Sequence, residues 1–256
     1  MSYYNYSSDQ PRGFMAETPV TRNLLIVNII LFIAASVSPA AFDSFALYYP
    51  ASEYFRPWQF VTYMFMHGGF AHLFFNMYSL WLFGAVVERI LGTKRYLILY
   101  FAAGIGAALI HLGVEYLQYM SAYHEYVDKL TAYFALVSPD TDAAAIEAYA
   151  REHFVPEYLA VVGIEGICPP TVGASGAIYG LMMAFAMLNP KAEMMLIFPP
   201  VRLTARWMVI IFGGLELLTG IFYTSDGVAH FAHLGGMIFA FFLVLYWKQK
   251  LYRSNW

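Results

Sequence analysis

The chain has 256 residues, of which 60% are hydrophobic and only 12% charged, and its mean hydropathy is +0.56. Soluble globular proteins carry about 25% charged residues, so this composition excludes an ordinary soluble domain and indicates a polytopic membrane protein. The formal net charge of -3 is uninformative about nucleic acid, but the sequence has no dense basic cluster, so we expect no nucleic-acid partner. The single cysteine, Cys168, excludes an internal disulfide framework and a multi-cysteine metal site.

Six segments are apolar and long enough to span a bilayer, which takes about 20 residues. They lie at residues 24–42, 69–87, 96–112, 172–188, 207–222 and 228–247. The predicted fold is therefore all-α, a bundle of six transmembrane helices over residues 23–248. A polar segment at 1–22 precedes the bundle, and a short tail at 249–256 follows it. The polar stretch before the first span is long for a signal peptide, so we expect no cleavage there.

Two of the loops between these spans stand out. Residues 43–68 are rich in aromatic side chains, which favour the zone of the lipid headgroups, so we expect this loop to lie in the outer interface. Residues 118–170 form a long acidic insert. Within this insert, residues 141–159 have helical composition and predict a short amphipathic surface helix.

The distribution of positive charge predicts the orientation, because cytoplasmic loops carry an excess of Lys and Arg. With a cytoplasmic N-terminus, 11 of the 14 Lys and Arg residues fall on the inner side. The outer loops then hold only Arg56, Lys129 and Arg151. Both termini are predicted to face the cytoplasm.

A serine and a histidine stand in separate spans at similar predicted depth. Ser175 lies between Gly173 and Gly176, where glycines allow a tight turn that exposes the hydroxyl group. His233 lies seven residues past the predicted outer end of span six near Asp226, roughly 10 Å deep at 1.5 Å per residue. Serine needs a base to become a nucleophile, and imidazole titrates near neutral pH, so the two residues predict a nucleophile and its base.

Span two adds two polar side chains at the same level. His72 and Asn76 are four residues apart and so share one helical face. Their N–H groups can stabilise the oxyanion that forms when a hydroxyl attacks an amide carbonyl. Since Asp226 lies about two turns from His233, no acid is well placed to orient the imidazole, and we expect a Ser-His dyad. Tyr179, one turn beyond Ser175, can hold the imidazole by stacking.

Three sequence motifs carry a family resemblance. Residues 173–180 read GASGAIYG, residues 67–76 read HGGFAHLFFN, and residues 232–236 read AHLGG. They resemble, in order, the nucleophile, oxyanion and base motifs of the rhomboid intramembrane serine proteases. The resemblance covers residues 20–250 and implies a six-helix rhomboid-like bundle. One such motif alone is weak evidence, whereas three in family order on the expected spans are specific.

The resemblance implies a role for each matching position. Ser175 is similar to the family's nucleophile and His233 to its general base, while His72 and Asn76 match the oxyanion-stabilising positions. Tyr179 matches the tyrosine that packs on the imidazole. His67 matches a histidine that is structural or associated with water.

Two positions depart from the family pattern. Trp58 is followed by Gln59 instead of arginine, so the guanidinium contacts of that loop are either absent or supplied by Arg56. After the base, Gly236 is followed four residues later by Ala240, so a face of small residues persists but permits a slightly less close helix approach.

Other polar residues in the spans have competing interpretations. His230 and His233 are three apart and, with His67 and His72, raise the possibility of a metal site, but only the carboxylate of Asp226 lies near them in sequence, and we expect no metal. His230 is expected at the outer rim or against a neighbouring helix. Glu216 is an intramembrane carboxylate, hence a functional candidate, or a residue that hydrogen-bonds a neighbouring helix or is protonated.

The sequence therefore predicts a serine endopeptidase that cleaves transmembrane helices of membrane proteins near the outer face of the bilayer. The alternative is a catalytically silent rhomboid-like protein that binds substrate helices, a class that typically lacks the nucleophile or the base. We expect no cofactor, no nucleic-acid partner and residence in a bacterial inner membrane. The last expectation follows from the resemblance and from the compactness of the chain.

Overall fold

The computed structural model describes residues 17–154, 164–195, 200–222 and 227–253. In chain order, its elements are α1 Pro19–Val37, α2 Pro39–Phe45, α3 Gln59–Thr62, α4 Phe70–Ser79, α5 Ala85–Leu91, α6 Thr93–Val137, α7 Ala143–His153, α8 Ile164–Ile167, α9 Ser175–Leu188, β1 Glu193–Met195, β2 Arg202–Thr204, α10 Ala205–Phe222 and α11 His230–Arg253. The predicted all-α membrane fold is confirmed. The two strands form only a short antiparallel hairpin between α9 and α10.

Five helical stretches within these ranges are long and apolar enough to cross a membrane. They are Pro19–Val37, Phe70–Leu91, Thr93–Val137, Ala205–Phe222 and His230–Gln249. The remaining predicted span, 172–188, contains the 14-residue helix α9. At 1.5 Å per residue α9 is about 21 Å long, which is shorter than the hydrocarbon core of about 30 Å. It begins at Ser175, so the predicted nucleophile is the first residue of the helix.

The N-terminus of α1 is closed by a carboxylate from another helix. The first N–H groups of a helix have no partner within it, and Pro19 suits this position because it has no N–H. The buried carboxylate of Glu88, on α5, accepts hydrogen bonds from the backbone N–H groups of Val20 at 3.0 Å and Thr21 at 2.8 Å. The hydroxyl of Thr21 also donates to it at 2.8 Å. Glu88 therefore ties α1 to the second span.

Helix α6 continues well beyond the predicted third span. Its 45 residues give a length of about 68 Å, so part of it projects beyond a core of about 30 Å. Residues 118–137 of the predicted insert are the continuation of this helix. The predicted surface helix is α7, whose first turn is capped by Asp142, which accepts from Ala145 N at 2.7 Å.

Helix α7 packs against the projecting part of α6. Phe154 is 2% exposed and contacts the rings of Tyr119, Tyr123 and Tyr126 on α6. This cluster is separate from the main core of the bundle. The insert therefore has a small apolar core of its own.

Helix α9 lies at the centre of the bundle, where it packs closely on both α6 and α11. A Cβ atom added at Gly236 of α11 would lie 1.9 Å from the carbonyl oxygen of Gly176 on α9. A Cβ added at Gly180 would lie 2.5 Å from Cβ of Ala103 on α6 and 3.3 Å from Cβ of Ala240. The face of small residues thus brings α11 close to α9, and Ala240 fits in this contact.

Segment 43–68, which was predicted as an outer loop, contains more regular structure than a loop. It contains the end of α2, the helix α3 and a 3₁₀ turn at Tyr63–Phe65, and Tyr48, Tyr49 and Tyr63 are buried. Gln59 is fully buried: its Oε1 accepts from Arg56 N at 3.0 Å and its Nε2 donates to Tyr54 O at 2.9 Å. The neutral amide thus provides internal contacts for this loop, whereas the Arg56 guanidinium donates only to nearby carbonyls.

Candidate active site

The turn before Ser175 is held from three sides. Gly173 has φ +124°, a conformation that favours glycine, and its N–H donates to the carbonyl of Tyr63 at 2.9 Å. Leu47 and Thr171 exchange backbone hydrogen bonds of 2.9 and 2.8 Å, and the Thr171 hydroxyl lies 2.7 Å from Nε2 of His111. These contacts fix the chain path that delivers Ser175 to the start of α9.

The predicted nucleophile and base meet. Nε2 of His233 lies 2.8 Å from Oγ of Ser175, within hydrogen-bond distance. The ring of Tyr179 stacks on the imidazole, with centroids 4.3 Å apart and planes at 5°. His233 lies in the first turn of α11 and is buried. The contact therefore joins two helices through a hydroxyl and an imidazole.

His72 and Asn76 on α4 lie beside this turn. A Cβ atom added at Gly173 would lie 2.7 Å from Nε2 of His72 and 3.5 Å from Nδ2 of Asn76, so both groups converge on one side of the turn. Gly68 N–H donates to Nδ1 of His72 at 3.4 Å, which leaves the proton of a neutral imidazole on Nε2. The Nδ2 group of Asn76 is buried and has no partner among the described residues. Two N–H donors are thus available next to Ser175.

Glu216 of α10 joins the same cluster, and the expectation that no acid lies beside His233 is wrong. Its Oε2 lies 3.0 Å from Nδ1 of His233 and 2.6 Å from Nδ1 of His230, and its Oε1 accepts from the hydroxyl of Tyr179. The Nδ1–H of His233 does not point straight at the oxygen, so this contact is an ion-pair approach rather than an aligned hydrogen bond. Spacing in sequence missed Glu216 because it lies on another helix.

His230 was predicted either at the outer rim or packed against a neighbouring helix. It is buried and hydrogen-bonded to this carboxylate of α10, so the second position describes it better. The signal that could have found the cluster was Glu216 itself. An intramembrane carboxylate needs buried donors, and the histidines of α11 are suitable donors. Asp226 lies outside the described residues.

Comparisons with known proteins identify the family of this chain. A family model, the Rhomboid domain, matches residues 54–250. The chain belongs to the rhomboid family.

Several proteins that are similar to this chain are named as rhomboid proteins. RHOMBOID-like protein 12, mitochondrial, of Arabidopsis thaliana is 26% identical over 243 residues, which cover 91% of this chain and 62% of that protein. Rhomboid protease GluP of Bacillus subtilis (strain 168) is 44% identical over 52 residues, 20% of this chain and 10% of the relative. Rhomboid protease GlpG of Yersinia pestis (strain Pestoides F) is 29% identical over 83 residues, 32% of this chain and 30% of the relative. In each case, the match spans less than two thirds of the relative.

The rhomboid chain also has a possible set of metal ligands. One ligand atom each from Glu216, His230 and His233 lie within 4.8 Å of one another. Spacing in sequence pointed only to Asp226 as a nearby carboxylate, because Glu216 lies on another helix, and so this set was not predicted. Ligands of tetrahedral zinc at about 2.0–2.1 Å from the ion are roughly 3.3 Å apart. The 2.6 Å contact between Glu216 and His230 is shorter and fits a direct hydrogen bond better.

A cavity of about 1320 Å³ opens onto these groups in the rhomboid bundle. Its polar lining includes His72, Asn76, Ser175 and His233, while Phe74 and Phe75 of α4 and Met208 and Phe212 of α10 supply apolar walls. A pocket of this size with a few convergent polar groups is the usual form of a ligand site.

The remaining motif histidine, His67, packs edge-on against His72 with ring centroids 5.1 Å apart. Burial, with the neighbouring His72 in second place, lowers the pKa of His67 to about 4, so its ring is neutral at physiological pH. Its contact with His72 fits the structural position that the resemblance implies for His67.

Proposed function

We propose that the protein is an intramembrane serine endopeptidase that cleaves transmembrane helices of membrane proteins. The observation that carries the proposal is the 2.8 Å contact between Oγ of Ser175 and Nε2 of His233 beside a cavity with apolar walls. Membership of the rhomboid family and the similarity to named rhomboid proteases support it.

In the first half of the proposed reaction, Oγ of Ser175 attacks the carbonyl carbon of the scissile amide while Nε2 of His233 takes the hydroxyl proton. The C–N bond then breaks, and His233 returns that proton to the leaving amine. In the second half, His233 takes a proton from water as the water attacks the acyl-enzyme, and then returns the proton to Ser175. No cofactor is needed for this balance of atoms and protons.

The oxyanion formed in each half requires preorganised donors. Nε2–H of His72, the amide N–H of Asn76 and the backbone N–H of Ser175 are assigned this role. The Ser175 N–H belongs to the first turn of α9, where helix N–H groups have no intrahelical partner. The convergence of His72 and Asn76 at Gly173 supports the assignment.

The substrate is proposed to enter laterally, between α4 and α10, where the apolar walls of the cavity lie. A helical amide is closed to attack because its polar groups are bonded within the helix, so the substrate must unwind locally. Substrates are therefore expected to carry helix-weakening residues near the outer surface. The family resemblance adds a small residue before the scissile bond.

We further propose that both termini face the cytoplasm of a bacterial inner membrane. The excess of Lys and Arg in the proposed inner loops supports the orientation. Under this orientation Ser175 and His233 lie toward the outer leaflet, and α7 lies outside the membrane.

The test uses the full chain in proteoliposomes with a fluorophosphonate probe and a model transmembrane substrate. The wild type is expected to be labelled and to cleave, whereas Ser175→Ala is expected to lose both activities and stay folded. The matched control is Ser36→Ala, which removes an exposed hydroxyl bonded only to Phe32 O and should leave labelling unchanged. A wild type that neither labels nor cleaves would favour the catalytically silent alternative. Chelator-sensitive cleavage without labelling would favour a metal enzyme.

A further inference from the structure

We infer that Glu216 is a positioning residue for His233, so that the proposed protease works with a Ser-His-Glu arrangement instead of an isolated pair. The inference rests on the proposed function. Glu216 touches neither the substrate position nor Ser175, and it acts through the imidazole.

The proposed reaction requires one particular tautomer of the His233 imidazole. Nε2 of His233 must accept the proton of Ser175, so the proton of the neutral ring must stand on Nδ1. Oε2 of Glu216 lies 3.0 Å from Nδ1, close to that proton but off the N–H direction. A carboxylate at this position favours the productive tautomer. It also stabilises the positive charge that the ring acquires when it takes the serine proton.

Glu216 contacts both rings of the imidazole stack, those of Tyr179 and His233. Its Oε1 accepts from the hydroxyl of Tyr179, whose ring lies parallel to that of His233. Its Oε2 accepts from His230, one turn before His233 on α11. One carboxylate from α10 thus connects the stacking ring on α9 with the base on α11.

The burial of the Glu216 carboxylate costs free energy. A carboxylate taken out of water without donors is expensive by several kcal/mol, and such a group persists in a membrane segment when it is well paired. Glu216 is only 9% exposed and has three donor groups within 3.0 Å, of which that of His233 is not aligned for a hydrogen bond. Two of these groups, those of Tyr179 and His233, belong to the stack. A carboxylate that only joined helices would not need to face the nitrogen of the base.

The geometry also predicts how the site changes on substrate binding. The contact with His233 lies off the N–H direction, while that with His230 is shorter. Hydrogen bonds of catalytic groups often tighten only when substrate is bound. A small rotation of the imidazole would align Nδ1–H with Oε2 as Nε2 becomes protonated.

The experiment compares wild type, Glu216→Asp and Glu216→Gln in proteoliposomes. The measurements are kcat and KM for a model transmembrane substrate, the rate of fluorophosphonate labelling and the melting temperature. Gln keeps the shape but loses the charge, so kcat and the labelling rate should fall by about 10- to 1,000-fold while KM stays within about twofold. Asp keeps the charge on a shorter side chain, and its kcat should lie between those of Gln and wild type.

The matched control is Glu88→Gln. Glu88 is equally a buried carboxylate with three donors, but it caps α1 and has no contact with the site. Its loss of charge should lower the melting temperature and leave kcat of the folded protein unchanged. This separates the general effect of neutralising a buried carboxylate from an effect on the base.

The outcomes separate the two proposals. If wild type is active and Glu216→Gln keeps its kcat within about twofold with only a lower melting temperature, Glu216 is structural and the inference is overturned. If Glu216→Gln does not fold, the kcat of Glu216→Asp is the deciding measurement. A value equal to that of the wild type overturns the inference. Activity lost with EDTA and restored by Zn²⁺ would assign the cluster to a metal. Failure of the wild type in both assays would instead overturn the proposed function.

Discussion

At the scale of single residues, the site is marked by polar groups that the surrounding bundle leaves unsatisfied. Buried donors normally have partners, and an orphan costs about 1–3 kcal/mol. Nδ2 of Asn76 is such an orphan among the described residues, and it lies beside the turn that carries Ser175. A donor kept at this cost is ready for a ligand atom, and in the proposed reaction that atom is the oxyanion.

Asn76→Ala should therefore lower kcat by about 10²–10³-fold with little change in KM, because the donor acts on charge that exists only in the transition state. Its melting temperature should be equal to or above that of the wild type, since a buried unpaired group is removed. Cleavage kinetics and thermal unfolding check both effects.

The control for this variant is Asn28→Ala, which removes a fully buried amide whose Nδ2 donates to Leu24 O at 2.7 Å. It should lower stability and leave kcat unchanged. A large loss of stability in Asn76→Ala would mean that Asn76 has a structural role as well.

At the scale of the elements, the distance from Ser175 to His233 depends on how closely α9 and α11 approach. The backbone of Gly176 lies where a Cβ atom on residue 236 would be placed, so position 236 has no space for a methyl group. Small residues allow this approach in membranes, where association depends on close packing. The serine and the base stand one residue before Gly176 and three residues before Gly236, so any separation of the helices changes their contact directly.

Gly236→Ala should force the helices apart, because the added Cβ would be 1.9 Å from a backbone oxygen that has no other position available. Overpacking of this kind costs about 1–3 kcal/mol or more, and both the melting temperature and kcat should fall.

Gly214→Ala is the matched control, since it adds the same methyl group within helix α10 where nothing lies within 4 Å. It should be neutral or stabilising, because Ala favours the helix over Gly by about 0.5–1 kcal/mol. Equal effects of the two substitutions would contradict the role assigned to the contact between α9 and α11.

At the scale of the whole molecule, the two ends of the bundle differ in charge, and the polar groups of the candidate site lie toward one of these ends. The acidic insert with α7 and the serine end of α9 lie toward one face, and the β hairpin that follows α9 lies toward the other. In the proposed orientation, the first face is the outer one.

This orientation can be tested with single cysteines in a Cys168→Ala background, which removes the natural buried thiol. Glu152→Cys on α7 should react with a membrane-impermeant maleimide in intact cells. Lys191→Cys, also exposed but next to the β hairpin, should react only after permeabilisation. The opposite pattern would reverse the proposed topology.

Composition and local motifs were sufficient to predict the membrane class. They were also sufficient to select Ser175, His233, His72 and Asn76 as candidates, which lie close together in the structure. The reason is physical: the transfer of a segment into lipid depends on its own side chains, and serine chemistry demands particular groups at particular depths. Depth follows from the rise of a helix, which sequence spacing gives directly. The levels of Ser175 and His233 could therefore be compared before any fold was known.

Only the tertiary structure placed Glu216 against His233, extended α6 to Val137 and gave Gln59 its partners in the outer loop. Each of these depends on how helices rotate and cross, or on which buried donors happen to face a buried acceptor. Spacing along one chain segment carries no information about rotation relative to another helix. Side-chain chemistry and the rise of a helix indicate which groups are candidates for reaction and how deep they lie, whereas the packing of the helices fixes which of these groups lie together.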